Sequence, residues 1–440
     1  MDWASLRLHL EARVKPLARA IGDAVDTAGL AMARWGPVEQ LLQSKGKVPS
    51  TLRKGSTSVS STVNAKMASV TTIDLLALAT SLPYASQITS FTTGLENVTF
   101  QQFDNSFSDI LGPNASWRMI SNQSYQAFHE AGVYQQDTNS LYISSNWAND
   151  FANPINVSIL NLQDYSLTSQ RYDGLFAPNG GTTYVTPGTD GTPQVLFCEE
   201  GSFEIPSGLT IVDPVAKTTK VCAMLLWRKT KLMKTQLVVN NFLGRNFSSV
   251  NDVRQHYATG DLWFTDAQYG YLQSFRPPPS IPNQVYRFEP LKGNIQVVAD
   301  GFVQSNGLEF SPDLKTMYVS DTGAQLVELG QNFTRPATIY AYDVIDQKYL
   351  QNLRTFAYAD DGFPDGIHCD TDGNVYAGCG DGVQVWNSEG RLLGKFRIDG
   401  GSANFAFVPE GMIIFNEYRL FLVTMAARGR ELARDFGSAA

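Results

Sequence analysis

Histidine is scarce, at four in 440 residues, and the four cysteines show no Cys-x-x-Cys spacing. Both scarcities weigh against a zinc centre, which draws on those residue types. No run of 18 apolar residues occurs, so no membrane-spanning helix is expected. Charged residues make up only 17% of the chain and the net charge is −8, with basic residues gathered only in the short "WRKTKLMK" at 227–234. That distribution excludes the electrostatic footprint of a nucleic-acid binder. There is no Gly-x-Ser-x-Gly elbow and no spacing that suggests a Ser/His/Asp set, which disfavours a covalent acyl-enzyme. A small-molecule partner is what these exclusions leave.

What is abundant is turn chemistry: 36 Gly and 20 Pro beside 43% hydrophobic residues, an all-β composition. One layout recurs. A polar residue opens a short alternating strand, a turn follows, and a second strand ends near an acid or hydroxyl. Glu130 opens "EAGVYQQDTNSLYISS", Asn251 opens "NDVRQHYATGDLWFTD", Asn306 opens "NGLEFSPDLKTMYVSD" and Asp365 opens "DGIHCDTDGNVYAGC". Their second strands begin 11, 11, 11 and 10 residues later. Weaker copies open at Asn179, with a longer turn, and at Asn404, in "NFAFVPEGMIIFNE", with a shorter one. Successive openings are 49, 72, 55, 59 and 39 residues apart, room for three or four short strands each. Six four-stranded sheets set radially leave only short protected edges, so an all-β, six-bladed β-propeller is predicted. The last unit is one strand short, and the segment 97–128, with "VTFQQF" and "WRMISN", is expected to supply it and close the ring.

The first strand of a propeller blade lines the central channel, so the opening residues face one another at its mouth. A strand-opening Asn or Asp taken singly is most simply an Asx turn. Four at matched offsets, two of them acidic and none basic, point instead to a cation between them. Hard oxygen donors suit Ca²⁺ first, with Mg²⁺ and Mn²⁺ as alternatives and Zn²⁺ last. Glu130, Asn251, Asn306 and Asp365 are therefore the expected metal ligands. Asn179 and Asn404 either cap their strands or touch substrate. His129, His256 and His368 lie near opening positions without occupying them and read as pocket-wall or ordinary structural groups.

The strings "FHEA", "GDLWFTDAQYGYLQSFRP", "NQVYRFEP", "SNGLEFSPDLKTMYVSDTG" and "FPDGIHCDTDGNVYAGCGDGVQVW" resemble the SMP-30/gluconolactonase family, most of all its secreted fungal lactonohydrolases, from about residue 90 to 427. The resemblance implies a Ca²⁺-binding six-bladed propeller that hydrolyses aldonolactones or related lactones. By it, Glu130, Asn306 and Asp365 match metal ligands and Asn251 an amide that binds metal or substrate. Glu200, in "CEEGS", and Tyr269, in "AQYGY", are further pocket candidates, with Asn179 and His368 on the substrate side. One departure is that His129 and Ala131 flank Glu130 where many relatives have Gly. A cation holding the lactone carbonyl would polarise it, water would attack, and a carboxylate would take the proton. Asp365 is the chosen base and Glu130 the alternate. Two other readings stay open: an arylesterase or phosphotriesterase on the same metal-centred fold, and a calcium-stabilised propeller that only binds its ligand.

The N-terminal region is different in kind. Residues 1–66 join an amphipathic helix candidate at about 2–44 to a Ser/Thr/Lys-rich linker and read as an extension, 67–86 read as a secretory leader starting at Met67, and 87–440 hold the propeller. Asp74 sits awkwardly within the leader's apolar part. Six sequons, at Asn97, Asn114, Asn122, Asn156, Asn246 and Asn332, all follow residue 87 and favour an extracellular glycoprotein. Secretion would allow a Cys198–Cys222 disulfide; buried free thiols are the competing expectation.

Overall fold

The computed structural model describes residues 65–147, 155–172, 174–189, 193–213, 218–220, 236–326 and 330–432. The helix expected over 2–44 lies outside them. What is described folds as the six-bladed β-propeller that the repeated layout predicts. Blade 1 is Glu130–Gln135, Ser140–Ser144, Val157–Asn161 and Leu167–Gln170, paired antiparallel in chain order. Blade 3 (Val250–Gln255 to Asn294–Ala299) and blade 4 (Ser305–Phe310 to Tyr349–Tyr358) repeat this order. Blade 2 starts at Pro178–Tyr184 and adds both Thr218–Lys220 and Gln236–Val239 to its third strand, Gly208–Asp213.

Closure of the ring follows expectation in one half and departs from it in the other. Ser116–Asn122, the "WRMISN" stretch, pairs with Arg419–Thr424 and completes blade 6. Thr99–Gln102, from "VTFQQF", instead joins the outer edge of blade 5 beside Leu392–Arg397. The span read as a leader is also woven in. Lys66–Met67 pairs with Trp117 and Ser116 on blade 6, and Val70–Thr72 runs parallel to Phe100–Gln102 on blade 5. Ile73 is buried behind them. The helices Leu75–Thr80 and Leu82–Thr89 then bury no residue. Asp74 is the N-cap of the first, accepting the Ala77 N–H at 2.9 Å.

Apolar faces of adjacent blades pack between their sheets, with Trp263, Phe264, Tyr286, Phe197 and Phe100 fully buried; each such side chain contributes roughly 1.5–3 kcal/mol. Near the axis the blades approach more closely than side chains would permit. A Cβ on Gly180 would stand 2.4 Å from the Asn251 carbonyl oxygen, and one on Gly307 2.4 Å from that of Asp365. Glycine after the opening residue is therefore what lets consecutive innermost strands meet. Cys198, Cys369 and Cys379 are buried free thiols, and Cys222 lies outside the described residues.

Candidate functional site

Three of the opening residues are held by the neighbouring blade. Hydroxyls at the ends of second strands donate across the gap to opening-residue carbonyls: Ser144 Oγ to Asn179 at 2.8 Å, Thr265 Oγ1 to Asn306 at 2.7 Å, and Ser320 Oγ to Asp365 at 2.7 Å. The acids closing those same strands serve structure. Asp266 accepts the Ser248 and Ser249 N–H groups, and Asp321 accepts those of Val303, Gln304 and Gly323. The opening side chains are left to face the axis.

They share the wall of a cavity of about 490 Å³ at one end of the channel. Glu130, Asn179, Asn251, Asn306 and Asp365 line it, together with Glu200 and Tyr269. Glu130 is 3% exposed and Asp365 9%, so both carboxylates are withdrawn from water. Burial raises the proton affinity of both, to about 6 for Asp365, and the Asp365 charge pushes Glu130 further. Asn404 donates to Glu130 Oε2 at 2.7 Å, while its own Oδ1 accepts the Phe405 N–H. Asn306 donates to the Tyr269 hydroxyl at 3.1 Å, and that hydroxyl also meets Thr322 Oγ1. Asn251 Oδ1 is buried with no hydrogen-bond donor. Two acids that disfavour joint ionisation and an orphaned carbonyl oxygen in one wall are what a hard cation would satisfy, so the donor set fits such an ion.

The cavity brings together all the residues singled out from the sequence except Asn404, His368 and His256. Asn404 stands behind the wall and orients Glu130. His368, expected on the substrate side, does not line this cavity: three residues along its strand from Asp365, it is carried down the channel, where its Nδ1 lies 3.4 Å from Arg254 and 3.8 Å from Glu309. Burial and the Arg254 charge depress its pKa to about 3, keeping it neutral. His256 packs edge-to-face on Phe310 and bonds Thr259, a structural role.

Other wall residues were not singled out from the sequence. Glu417 ends the "FNE" of the last repeat and holds His129 Nδ1 at 2.6 Å. Burial opposes charge on that imidazole, but Glu417, with Glu130 and Asp365 adding, raises its pKa to about 10. Asn146, whose side chain bonds Glu417 at 3.2 Å, and Trp147, stacked 4.1 Å from Phe275, continue the wall, with Gln273, Gln325, Gln331 and Phe363. Glu200 accepts from Ser249 Oγ at 2.8 Å, and burial lifts its pKa to about 7. Asp252, directly after Asn251, is buried and bonded to Arg254 at 3.0 Å, adding negative charge beneath Glu130 and Asp365.

Comparison with known proteins gives a consistent set. A family model described as the SMP-30/Gluconolactonase/LRE-like region matches residues 177–411, which take in Asn179, Asn251, Asn306, Asp365 and Asn404 but not Glu130. A lactonohydrolase of Aspergillus oryzae is 30% identical over 332 residues, 71% of this chain and 70% of that protein. A gluconolactonase of Zymomonas mobilis is 29% identical over 192 residues, covering 41% of this chain and half of that protein. The solved structure of a gluconolactonase from Xanthomonas campestris has a TM-score of 0.57 at 24% identity, covering 74% of this chain and 94% of that one, a likeness of fold.

Proposed function

We propose that this chain, which belongs to the SMP-30/gluconolactonase family, is a metal-dependent lactonase that opens aldonolactones or related cyclic esters to hydroxy acids. The observation that carries the reading is the burial of Glu130 and Asp365 beside the orphaned Asn251 oxygen in a cavity with no Lys or Arg among the described residues of its wall. Glu130, Asn251, Asn306 and Asp365 are the residues that would hold the cation, and Ca²⁺ is the ion their oxygen donors favour. Such an ion supplies a Lewis acid for an ester carbonyl and its developing oxyanion.

The chain's own residues do the rest. Asp365 takes the proton of the attacking water, because burial makes it a competent base while Asn306 beside it favours its charged form. Asn404 fixes the Glu130 carboxylate in one rotamer. Tyr269, held between Asn306 and Thr322, and Glu200, held by Ser249, shape the substrate side with Asn179. Extracellular location and glycosylation are part of the same proposal; Asn114, Asn122 and Asn246 are exposed sequon asparagines that can carry glycans.

The test is acid release from a panel of lactones, aryl esters and phosphotriesters, corrected for enzyme-free opening and including a slowly opening five-membered lactone. Lactone hydrolysis that stops with EDTA and returns with Ca²⁺ is expected. Cleavage of aryl esters or phosphotriesters without lactones would transfer the reading to an esterase, and cleavage of none to a binding protein.

A further inference from the structure

The charged side chains on the cavity wall are all of one sign apart from a histidine. Glu130, Glu200, Asp365 and Glu417 line it, and no Lys or Arg does among the described residues. The stretches that adjoin Trp147 and Gln325 in sequence but lie outside the described residues read "ANDFANP" and "VEL", also without Lys or Arg. Two nearby cations are already committed. His129 is tied to Glu417. Arg276, beside Glu200, gives its N–H groups to the carbonyls of Ser248, Ser202, Ile205 and Phe247 at 2.6–2.9 Å. Two of the four acids offset a bound divalent ion, so that ion offers no surplus charge to a substrate. A carboxylate or phosphate entering here would lose its hydration with no guanidinium or ammonium of the described wall to replace it, and would meet the Glu200 carboxylate in a site of low dielectric.

The rest of the wall is built for uncharged polar groups. Gln273 and Gln331 supply amides, and Trp147, braced on Phe275, an apolar face. We propose that the pocket is charge-selective: it accepts uncharged, hydroxyl-bearing lactones and rejects lactones that carry a carboxylate or phosphate, with Glu200 as the residue that enforces the rejection. This deepens the lactonase reading and rests on it for the substrate class, but the selectivity belongs to the wall and can be measured without turnover.

The experiment uses two matched pairs on the metal-loaded protein at pH 8.5, where Glu200, with its pKa of about 7, is ionised. One pair is a neutral hydroxylated five-membered lactone and its counterpart with a carboxylate in place of the terminal hydroxymethyl, compared by kcat/KM. The other is the corresponding pair of lactams, which do not hydrolyse, compared by calorimetric binding. Discrimination of roughly 100-fold for the neutral member is expected in both, the scale of one unpaired charge. Glu200→Gln should narrow the ratio, and Gln273→Arg, which places a cation in the wall, should bring it to within a few-fold. Selective binding of the neutral lactam without hydrolysis of either lactone would uphold the charge selection and remove the lactonase reading. Equal binding of both lactams, binding of neither, or a ratio unmoved by Gln273→Arg would overturn the proposal.

Discussion

Carboxylates in this protein fall into two sets that their surroundings, and not their sequence context, distinguish. Glu199 and Glu200 are adjacent and both are 4% exposed. Glu199 accepts the Phe176 N–H and the Thr210 hydroxyl, both at 2.7 Å, and holds a loop, whereas Glu200 turns to the cavity. Burial raises the Glu199 pKa from an ordinary 4.5 to about 7. The folded chain then holds that proton more tightly than the unfolded chain does. Its stabilising contribution is full below about pH 4.5 and is lost as pH rises through about 7. Glu199→Gln removes that loss, so the melting temperature of the variant minus that of the wild type should increase from pH 5 to pH 8; a constant difference would refute the titration. Opening residues such as Asn306 and Asp365 were legible from the sequence because their positions repeat at fixed offsets. Glu417, Asp252 and the Asn404 contact to Glu130 were not, because each acts across blades that are distant in sequence.

Strands near the axis were legible, and those at the rim only in part. The inner two strands of each blade alternate apolar and polar residues around a short turn, a local pattern. The outer edge is chosen by whatever segment reaches it, so "VTFQQF" went to blade 5 and "WRMISN" to blade 6. Lys66–Met67 and Val70–Thr72 are pairings of the same kind, too short to carry a pattern of their own. They nevertheless extend two blades, and the Lys66 ammonium stands 4.6 Å over the Trp117 ring. We propose that this segment is part of the folded domain, whose boundary then lies before residue 66 and not at 87. A chain trimmed to begin at Gln87 would lose the Ile73 burial and both added strands, a cost of about 2 kcal/mol, read as a fall of about 4 °C in melting temperature. An unchanged melting temperature would return these residues to the status of an appendage.

Across the whole molecule the channel is divided by charge. At the cavity end stand acids that await a cation. Deeper in, Arg254 is fully buried and reaches Asp252, Glu309 and the carbonyls of Gly181, Val253 and Ile367, with His368 3.4 Å away, so it gathers blades 2 to 5 on one guanidinium. Arg430, from the C-terminal end of the described chain, also pairs with Glu309. The middle of the channel thus carries its own cations, while the proposed site at the mouth would draw one from solution. That asymmetry can be tested by titrating chelator-stripped protein with Ca²⁺ and following bound metal and lactone hydrolysis in the same samples. Activity should rise in proportion to occupancy and level off at one ion per chain. Asn306→Ala should displace the curve to higher Ca²⁺ while recovering much of the activity, and Asp365→Ala should recover almost none at any Ca²⁺ concentration. Hydrolysis at full rate in the stripped protein, or equal recovery of both variants, would contradict the account.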